Sequence, residues 1–206
     1  MDIIKIGQAF VIGYLLGGLN AGVIVGKIYG KDIRNYGSKS AGLTNTLRVL
    51  GKTAAALVLV SDVAKGVLAC YIGLGLGAYV YSGGKSDCVT LLAAGAGAVI
   101  GHNWPPYFGF KGGKGALTGI AVLFMLDWRM ALICLGLFIA IVALTRYVSL
   151  GTMLATFCFF VISFFPIFNH TFYFSIFSFA MAFIIIFKHR LNVRRLLSGT
   201  ENKLAF

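Results

Sequence analysis

The sequence predicts an all-α integral membrane protein of seven transmembrane helices, with a glycine-rich cytoplasmic loop that re-enters the membrane between the third and the fourth. Three observations carry this. Of the 206 residues, 59% are hydrophobic and only 12% are charged, and the mean hydropathy is +0.89, far from the mixed surface a soluble domain of this length presents. The apolar residues fall in runs long enough to approach the roughly 20 residues that cross a hydrocarbon layer. The Lys and Arg residues gather in alternate gaps between those runs.

The first run, 3–26, starts behind Asp2 and Lys5 with no basic leader, so it reads as a retained span rather than a cleaved signal peptide. The second, 53–80, contains Asp62 and Lys65, three residues apart. Each charge alone would cost roughly 2.5–3.5 kcal/mol on an insertion scale, and pairing on one helix face softens that cost. The third, 88–106, contains "LLAAGAGAVIG", whose small residues let helix backbones approach closely in lipid. The fourth, 115–126, is short, and "HNWPPYFGFKGGKG" precedes it. Irregular backbone at membrane depth is tolerated only where it is buried in protein or lines a wet cavity. Residues 102–114 are therefore expected to dip into the membrane from the cytoplasmic side. The runs 128–145, 147–166 and 171–188 complete the seven, and residues 1–206 are expected to form a single multi-pass domain.

With the N-terminus outside, the inner loops and tail hold Lys27, Lys31, Arg34, Lys39, Arg48, Lys52, Lys111, Lys114, Arg146, Lys188, Arg190, Arg194, Arg195 and Lys203, fourteen of the eighteen Lys and Arg. The positive-inside rule then places the C-terminus in the cytoplasm. Much of the net charge of +12 is accounted for by this topological signal and by attraction to anionic lipid. Nucleic acid is a poor partner, because no soluble fold is available to present the cations to a groove. Cys70, Cys134 and Cys158 lie in apolar runs and Cys88 beside one, without C-x-x-C or zinc-like spacing, so they read as packing residues and no metal site is expected.

Three inner segments concentrate the polar chemistry: "NYGSKSAGLTNTLR" at 35–48, "GHNWPPYFGFKGGKG" at 101–115 and "HRLNVRRLLSGTENK" at 189–203. Each joins glycines or hydroxyls to fixed cations. Glycine lets backbone N–H groups approach an anion, and the N-terminus of a following helix adds positive dipole. Gly113, Lys114 and Gly115 stand just before the fourth run, where a phosphate would be held. The segment is not a Walker A loop, since Phe108 occupies its first glycine position and Gly115 follows the lysine, so a nucleotide site is unsupported. His189, at the end of the last run, can act as acid, base or hydrogen-bond partner near neutral pH. Glu201, the one glutamate, has many cations to pair with and can lock the tail. His170 falls in an outer turn with no assigned role. No His-x-x-x-x-Asp acyltransferase dyad occurs, because Tyr107, Ser175 and Arg194 stand five residues past the three histidines.

Together with "DIRNYGS" after the first run, "SDVAKG" in the second and "LTRYVSLG" before the sixth, these segments resemble the motifs of the bacterial acyl-phosphate-dependent glycerol-3-phosphate acyltransferases, the PlsY family, over nearly the whole chain. The resemblance implies a seven-helix, multi-pass enzyme of the bacterial cell membrane, with its active site facing the cytoplasm. It would transfer a fatty acyl group from acyl phosphate to the 1-hydroxyl of sn-glycerol 3-phosphate, the first acylation of phospholipid synthesis. It implies no cofactor and no use of acyl-CoA, acyl carrier protein or metal. Its partners would be the two substrates, membrane lipids and the peripheral enzyme that makes acyl phosphate. A mixed anhydride is already activated, so positioning and charge stabilisation suffice for much of the chemistry.

Carried over by position, the implied catalytic residues are Ser38, Arg48, Lys114, His189 and Asn192. The implied substrate-binding residues are Thr44, Asn45, His102, Lys111, Gly112, Gly113, Gly115, Ser149 and Glu201. The first motif departs from the family's G-S-G-N-P-G-x-T-N at Lys39, Ser40 and Ala41, which also suits a divergent paralogue with another acceptor. Two other functions fit the residues: a transporter of a phosphorylated metabolite, suggested by the broken third and fourth runs, and a non-catalytic binder of anionic lipid.

Overall fold

In the computed structural model, which describes residues 2–82 and 84–204, Asn20 breaks the first apolar run in two. Helix α1 spans Ile3–Gly18 and α2 spans Ala21–Ile28. The Asn20 side chain caps α2 by accepting from the Val23 N–H at 3.2 Å, and its amide donates to the His102 carbonyl at 3.4 Å. A polar side chain inside an apolar run is thus used on both its faces.

The chain forms two compact units, Met1–Val80 with Cys88–Met125, and Tyr81–Asp87 with Leu126–Phe206. The first unit continues with α3 (Leu43–Leu50), α4 (Lys52–Leu76), α5 (Val89–Asn103) and α6 (Ala116–Leu126). Helix α4 stops at Gly77, which takes a left-handed φ of 60°. The end of the expected 53–80 span therefore leaves the helix and pairs as a short hairpin, β1 (Tyr79–Ser82) with β2 (Lys85–Cys88), the one exception to an otherwise helical fold among the described residues. Helix α5 ends at Trp104, which precedes Pro105 and is pushed out of the helical region by the proline ring. Helices α1 and α5 touch backbone to backbone. Gly13 faces the Ala94 carbonyl and Gly17 that of Ala98, while Gly97 faces the Phe10 carbonyl and Gly101 that of Tyr14; a Cβ at any of the four would overlap main-chain atoms. Two i, i+4 glycine pairs, one on each helix, make this approach possible.

The second unit holds α7 (Trp128–Thr145), α8 (Val148–Ile162), α9 (Phe172–Lys188) and α10 (Arg190–Leu197). Asp127 caps α7, accepting from the N–H groups of Arg129 and Met130 at 2.9 and 3.4 Å. Helices α8 and α9 meet through Phe159 set edge-on to Phe174 and through the Ser178 hydroxyl donating to Ser163 Oγ at 2.8 Å. His170, which carried no role in the sequence, is a hub. Its Nδ1 lies 2.7 Å from Asp87 Oδ1, its Nε2 lies 3.1 Å from Asp127 Oδ2, and its ring stacks on Phe174. Helix α10 turns 56° away from α9 at His189.

Each of the seven apolar runs holds a helix. By length and composition, three helical segments among the described residues can cross a membrane, Ile3–Ile28 taken through its break, Lys52–Leu76 and Trp128–Thr145. A fourth joins them if α9 and α10 count as one bent span, and α6 and α8 are apolar but shorter.

Candidate active site

The segment between α2 and α3 is organised by one buried side chain. Asn45 Oδ1 accepts from the Ser38 N–H at 2.8 Å, and Nδ2 lies 2.9, 3.1 and 3.0 Å from the carbonyls of Ile33, Tyr36 and Ser40. Asn45 therefore holds the loop that presents Ser38. The departures from the family pattern are absorbed here. Lys39 is exposed at a left-handed φ of 57°, the Ser40 carbonyl serves Asn45, and Ala41 fills an apolar place beside Val23 and Ile33. Ser38 and Thr44 are half-buried, Arg48 is exposed, and Gly42 gives α3 no side-chain cap.

The glycine-rich segment folds back on the end of α5, which carries buried His102 and Asn103 in its last turn. The expected irregular stretch of 102–114 thus begins two residues later, at Trp104. Gly109 and Phe110 take left-handed φ values of 63° and 58°, and the chain returns so that the Gly113 N–H donates to the His102 carbonyl at 3.1 Å. Gly112 sits against that carbonyl, while Gly113 sits against His102 Nε2 and the Ala41 carbonyl, so a Cβ at either position would collide. The first and second motifs therefore meet at Ala41 and Gly113. Lys114 follows, half-buried, and Gly115 at φ 78° leads into α6.

Arg34, by its place in the sequence one of the inner topological cations, clamps this loop. Its Nη1 donates to the carbonyls of Phe108 and Lys111 at 2.9 and 3.3 Å, while Nε and Nη2 hold Asp32 at 2.9 and 2.7 Å. The guanidinium keeps the Asp32 carboxyl below its ordinary value. The Lys111 carbonyl is thus a clamp point, and its side chain is exposed. Asp62 and Lys65 form the expected ion pair at 2.7 Å, and Lys65 also reaches His102.

In the second unit the tail folds onto the start of α8. Glu201 Oε1 accepts from Ser149 Oγ at 2.8 Å and from Asn192 Nδ2 at 2.7 Å, and Oε2 accepts from Arg195 Nε at 2.7 Å. The Leu204 N–H donates to the Arg146 carbonyl at 2.8 Å. His189 is buried at the α9–α10 bend, and its Nδ1 lies 2.8 Å from the Ile185 carbonyl. A carbonyl can only accept, so Nδ1 carries the proton and, in the neutral ring, Nε2 holds the lone pair. Ser38, Thr44, Asn45, Arg48, His102, Lys111, Gly112, Gly113, Lys114 and Gly115 thus fall in the first unit, where Ser38 joins Asn45 and His102 joins Gly112 and Gly113, and Ser149, His189, Asn192 and Glu201 fall in the second, where Glu201 joins Ser149 and Asn192. Among the described residues, no group of three His, Cys, Asp or Glu is arranged to hold a metal ion.

Burial raises the Glu201 carboxyl, but hydrogen bonds from Arg195, Asn192 and Ser149 more than offset it and hold it below the ordinary glutamate value. Asp87 and Asp127 are likewise raised by burial and lowered further by their partners, His170 and Thr171 for the first, Arg129 for the second. Depressed carboxylates contribute stability that is complete above their unfolded values near pH 4 and is lost as pH falls through the lower folded ones. The melting temperature in detergent should therefore be level between about pH 7 and 5 and fall below about pH 4. A steady decline beginning near pH 6 would point to other groups.

A family model described as glycerol-3-phosphate acyltransferase matches residues 8–199. The chain belongs to the glycerol-3-phosphate acyltransferase family. A glycerol-3-phosphate acyltransferase from Thermoanaerobacter pseudethanolicus is 43% identical over 195 residues, covering 94% of this chain and 93% of the relative. One from Clostridioides difficile is 40% identical over 199 residues, covering 94% and 93%. Among solved structures, the glycerol 3-phosphate form of PlsY (YgiH), an integral membrane glycerol 3-phosphate acyltransferase, superposes with a TM-score of 0.86 at 34% identity over 97% of this chain and 96% of that one. Its lysophosphatidic acid form gives 0.83 at 32% over 97% and 95%. The acyltransferase family thus covers both units, with every motif segment inside the match except the end of the tail.

Proposed function

We propose that the chain acylates the 1-hydroxyl of sn-glycerol 3-phosphate with acyl phosphate as donor, releasing lysophosphatidate and inorganic phosphate, as the first acylation of phospholipid synthesis. Family membership supports the acceptor and the reaction type. The observation that supports a phosphate-bearing donor is the Gly112–Gly115 loop, in which close approach to His102 requires Gly112 and Gly113, a left-handed φ of 78° favours Gly115, and Lys114 stands just before α6. Backbone N–H groups, a helix N-terminus and a fixed cation are the parts of a phosphate cradle.

In the reaction the hydroxyl oxygen forms a bond to the acyl carbonyl carbon, the carbon–oxygen bond to phosphorus breaks, and phosphate leaves with the bonding pair. Ser38, Arg48 and Lys114 act as phosphate ligands, with Thr44 and the backbone N–H groups of Gly112 and Gly115 as further donors, and with Gly113, His102 and Lys111 supporting the loop, the Gly113 N–H being bound to the His102 carbonyl. His189 and Asn192 orient glycerol 3-phosphate. His189 Nε2, holding the lone pair, accepts the hydroxyl proton, and a substrate phosphate oxygen is the other acceptor the chemistry allows. Ser149 and Glu201 fix Asn192, and Asn45 fixes the loop of Ser38. The anhydride is already activated, so no cofactor is invoked.

This enzyme is one multi-pass domain over residues 1–206, with seven helical passes, some shortened, in the bacterial cytoplasmic membrane. The distribution of Lys and Arg supports an outer N-terminus and a cytoplasmic C-terminus. In the same arrangement residues 104–115 form a re-entrant loop from the cytoplasmic side, and the peripheral enzyme that makes acyl phosphate is the partner supplying the donor.

Acyl phosphate, acyl-CoA and acyl carrier protein donors compared on purified protein test the donor, with lysophosphatidate expected from the first alone. Lys114→Ala and Arg48→Ala should each lower turnover about a hundredfold, the usual cost of one transition-state donor. Full activity in both would remove these residues from the site.

A further inference from the structure

Lys65 is an unusual lysine: it is buried, at 7% exposure, in the middle of the longest helix, and three acceptors surround its ammonium. Asp62 Oδ1 lies at 2.7 Å, His102 Nδ1 at 2.9 Å and the Leu19 carbonyl at 3.2 Å. Leu19 stands at the break between α1 and α2, where its carbonyl has left the helical ladder. An ammonium has three donors and no acceptor capacity, so His102 Nδ1 and the Leu19 carbonyl accept from it, while Asp62 faces it as the counter-charge, its Oδ1 also lying 3.6 Å from His102 Nδ1.

The consequence falls on His102. Its Nδ1 accepts from Lys65, so the ring is neutral and its proton sits on Nε2. Nε2 is the atom against which Gly113 packs, and the His102 carbonyl is the one that receives the Gly113 N–H. Lys65 therefore decides which face of the imidazole the glycine loop meets, a donor rather than a lone pair. A donor on that side suits an anion held by the same loop, whereas a lone pair would repel it. Asp62, at 1% exposure, supplies the counter-charge that keeps the lysine an ammonium in this setting.

We propose that Lys65, with Asp62 as its counter-ion, is a positioning residue that locks His102 in the Nε2–H form and so presents a neutral donor to the phosphate cradle at Gly112–Lys114. This role rests on the assignment of that loop to a phosphate, whereas the tautomer itself does not.

The test separates the two. The chain has three histidines, so ¹⁵N-histidine labelling with single replacements assigns each ring by NMR in detergent. Wild-type His102 is expected as one neutral Nε2–H tautomer across pH 6 to 8, and an Nδ1–H tautomer or an imidazolium there would overturn the proposal without touching the reading of Lys114. Because Lys65→Met alone strands the Asp62 charge, the working variant is the double Asp62→Asn, Lys65→Met, compared with Lys65→Arg. In the double variant the ring should become a mixture of tautomers and kcat should fall at least tenfold, with KM for glycerol 3-phosphate changed less than threefold. Lys65→Arg should restore the single tautomer and much of kcat. A double variant that keeps the wild-type tautomer and kcat would reduce the pair to packing.

Discussion

Gly97→Leu should yield no folded, monodisperse protein. The Cβ would overlap the Phe10 carbonyl and the Tyr14 nitrogen of α1, and the neighbouring contacts at Gly13, Gly17 and Gly101 are also backbone to backbone. Overpacking costs about 1–3 kcal/mol where side chains can shift aside. Here the opposing atoms are main chain and cannot shift without separating α1 from α5. That separation would also pull the Asn20 amide from the His102 carbonyl, at 3.4 Å, and so disturb the end of α5 that the glycine loop folds on. Gly7→Leu is the control, since nothing lies within 4 Å of a Cβ at that place on the same helix. It should elute and melt like the wild type in detergent. A wild-type elution profile and melting temperature for Gly97→Leu would show that α1 and α5 are not held by glycine contact.

The helices were legible because lipid forces every backbone group to be satisfied within its own segment, so apolar runs must coil. Their ends were less so. The break at Asn20 has a local half, the side chain that accepts from the Val23 N–H, and a distant half, a carbonyl 82 residues away that no local pattern carries. Gly77 gave a local signal as a left-handed helix stop, but in a glycine-rich run it does not stand out from packing glycines such as Gly73, which faces the Thr90 carbonyl. In the site, the Gly-Lys loop could be read from composition. Arg34 could not, because a cation on the inner side looks the same whether it marks topology or grips two carbonyls. Asn45 shows the same limit: its residue type suits a ligand, and only the folded loop reveals that it serves the backbone around Ser38. His170 carries no local sign of its role, because Asp87 and Asp127 stand 83 and 43 residues from it. Glu201 was read nearer the mark, as a lock on the tail among cations; Arg195 is one partner, and the neutral pair Ser149 and Asn192 completes the set.

Glu201→Ala should lower kcat/KM for glycerol 3-phosphate about a thousandfold, which corresponds to about 4 kcal/mol. Three donors converge on the two carboxylate oxygens, from Ser149, Asn192 and Arg195, and the side chain is 8% exposed. Arg195, left behind at 31% exposure, can be rehydrated, so the cost to folding is small and the loss is one of orientation within the site. The loss falls on Asn192, whose amide orientation is set by Oε1 and which is assigned to hold the acceptor. Glu201→Gln discriminates orientation from packing. Its single carbonyl oxygen can serve Arg195 or Asn192 but not both, and its NH₂ then meets a donor. If the oxygen turns to Arg195, the Asn192 amide must rotate to accept, which inverts the face offered to the acceptor. Glu201→Gln should therefore lose about a hundredfold, the usual effect of misplacing a positioning group. The helices should keep their melting temperature to within a few degrees, because the tail is peripheral to them, while the tail itself becomes open to proteolysis after α10. Retention of more than a tenth of wild-type kcat/KM in Glu201→Ala would mean that Asn192 is held in place by another contact and that Glu201 only fastens the tail.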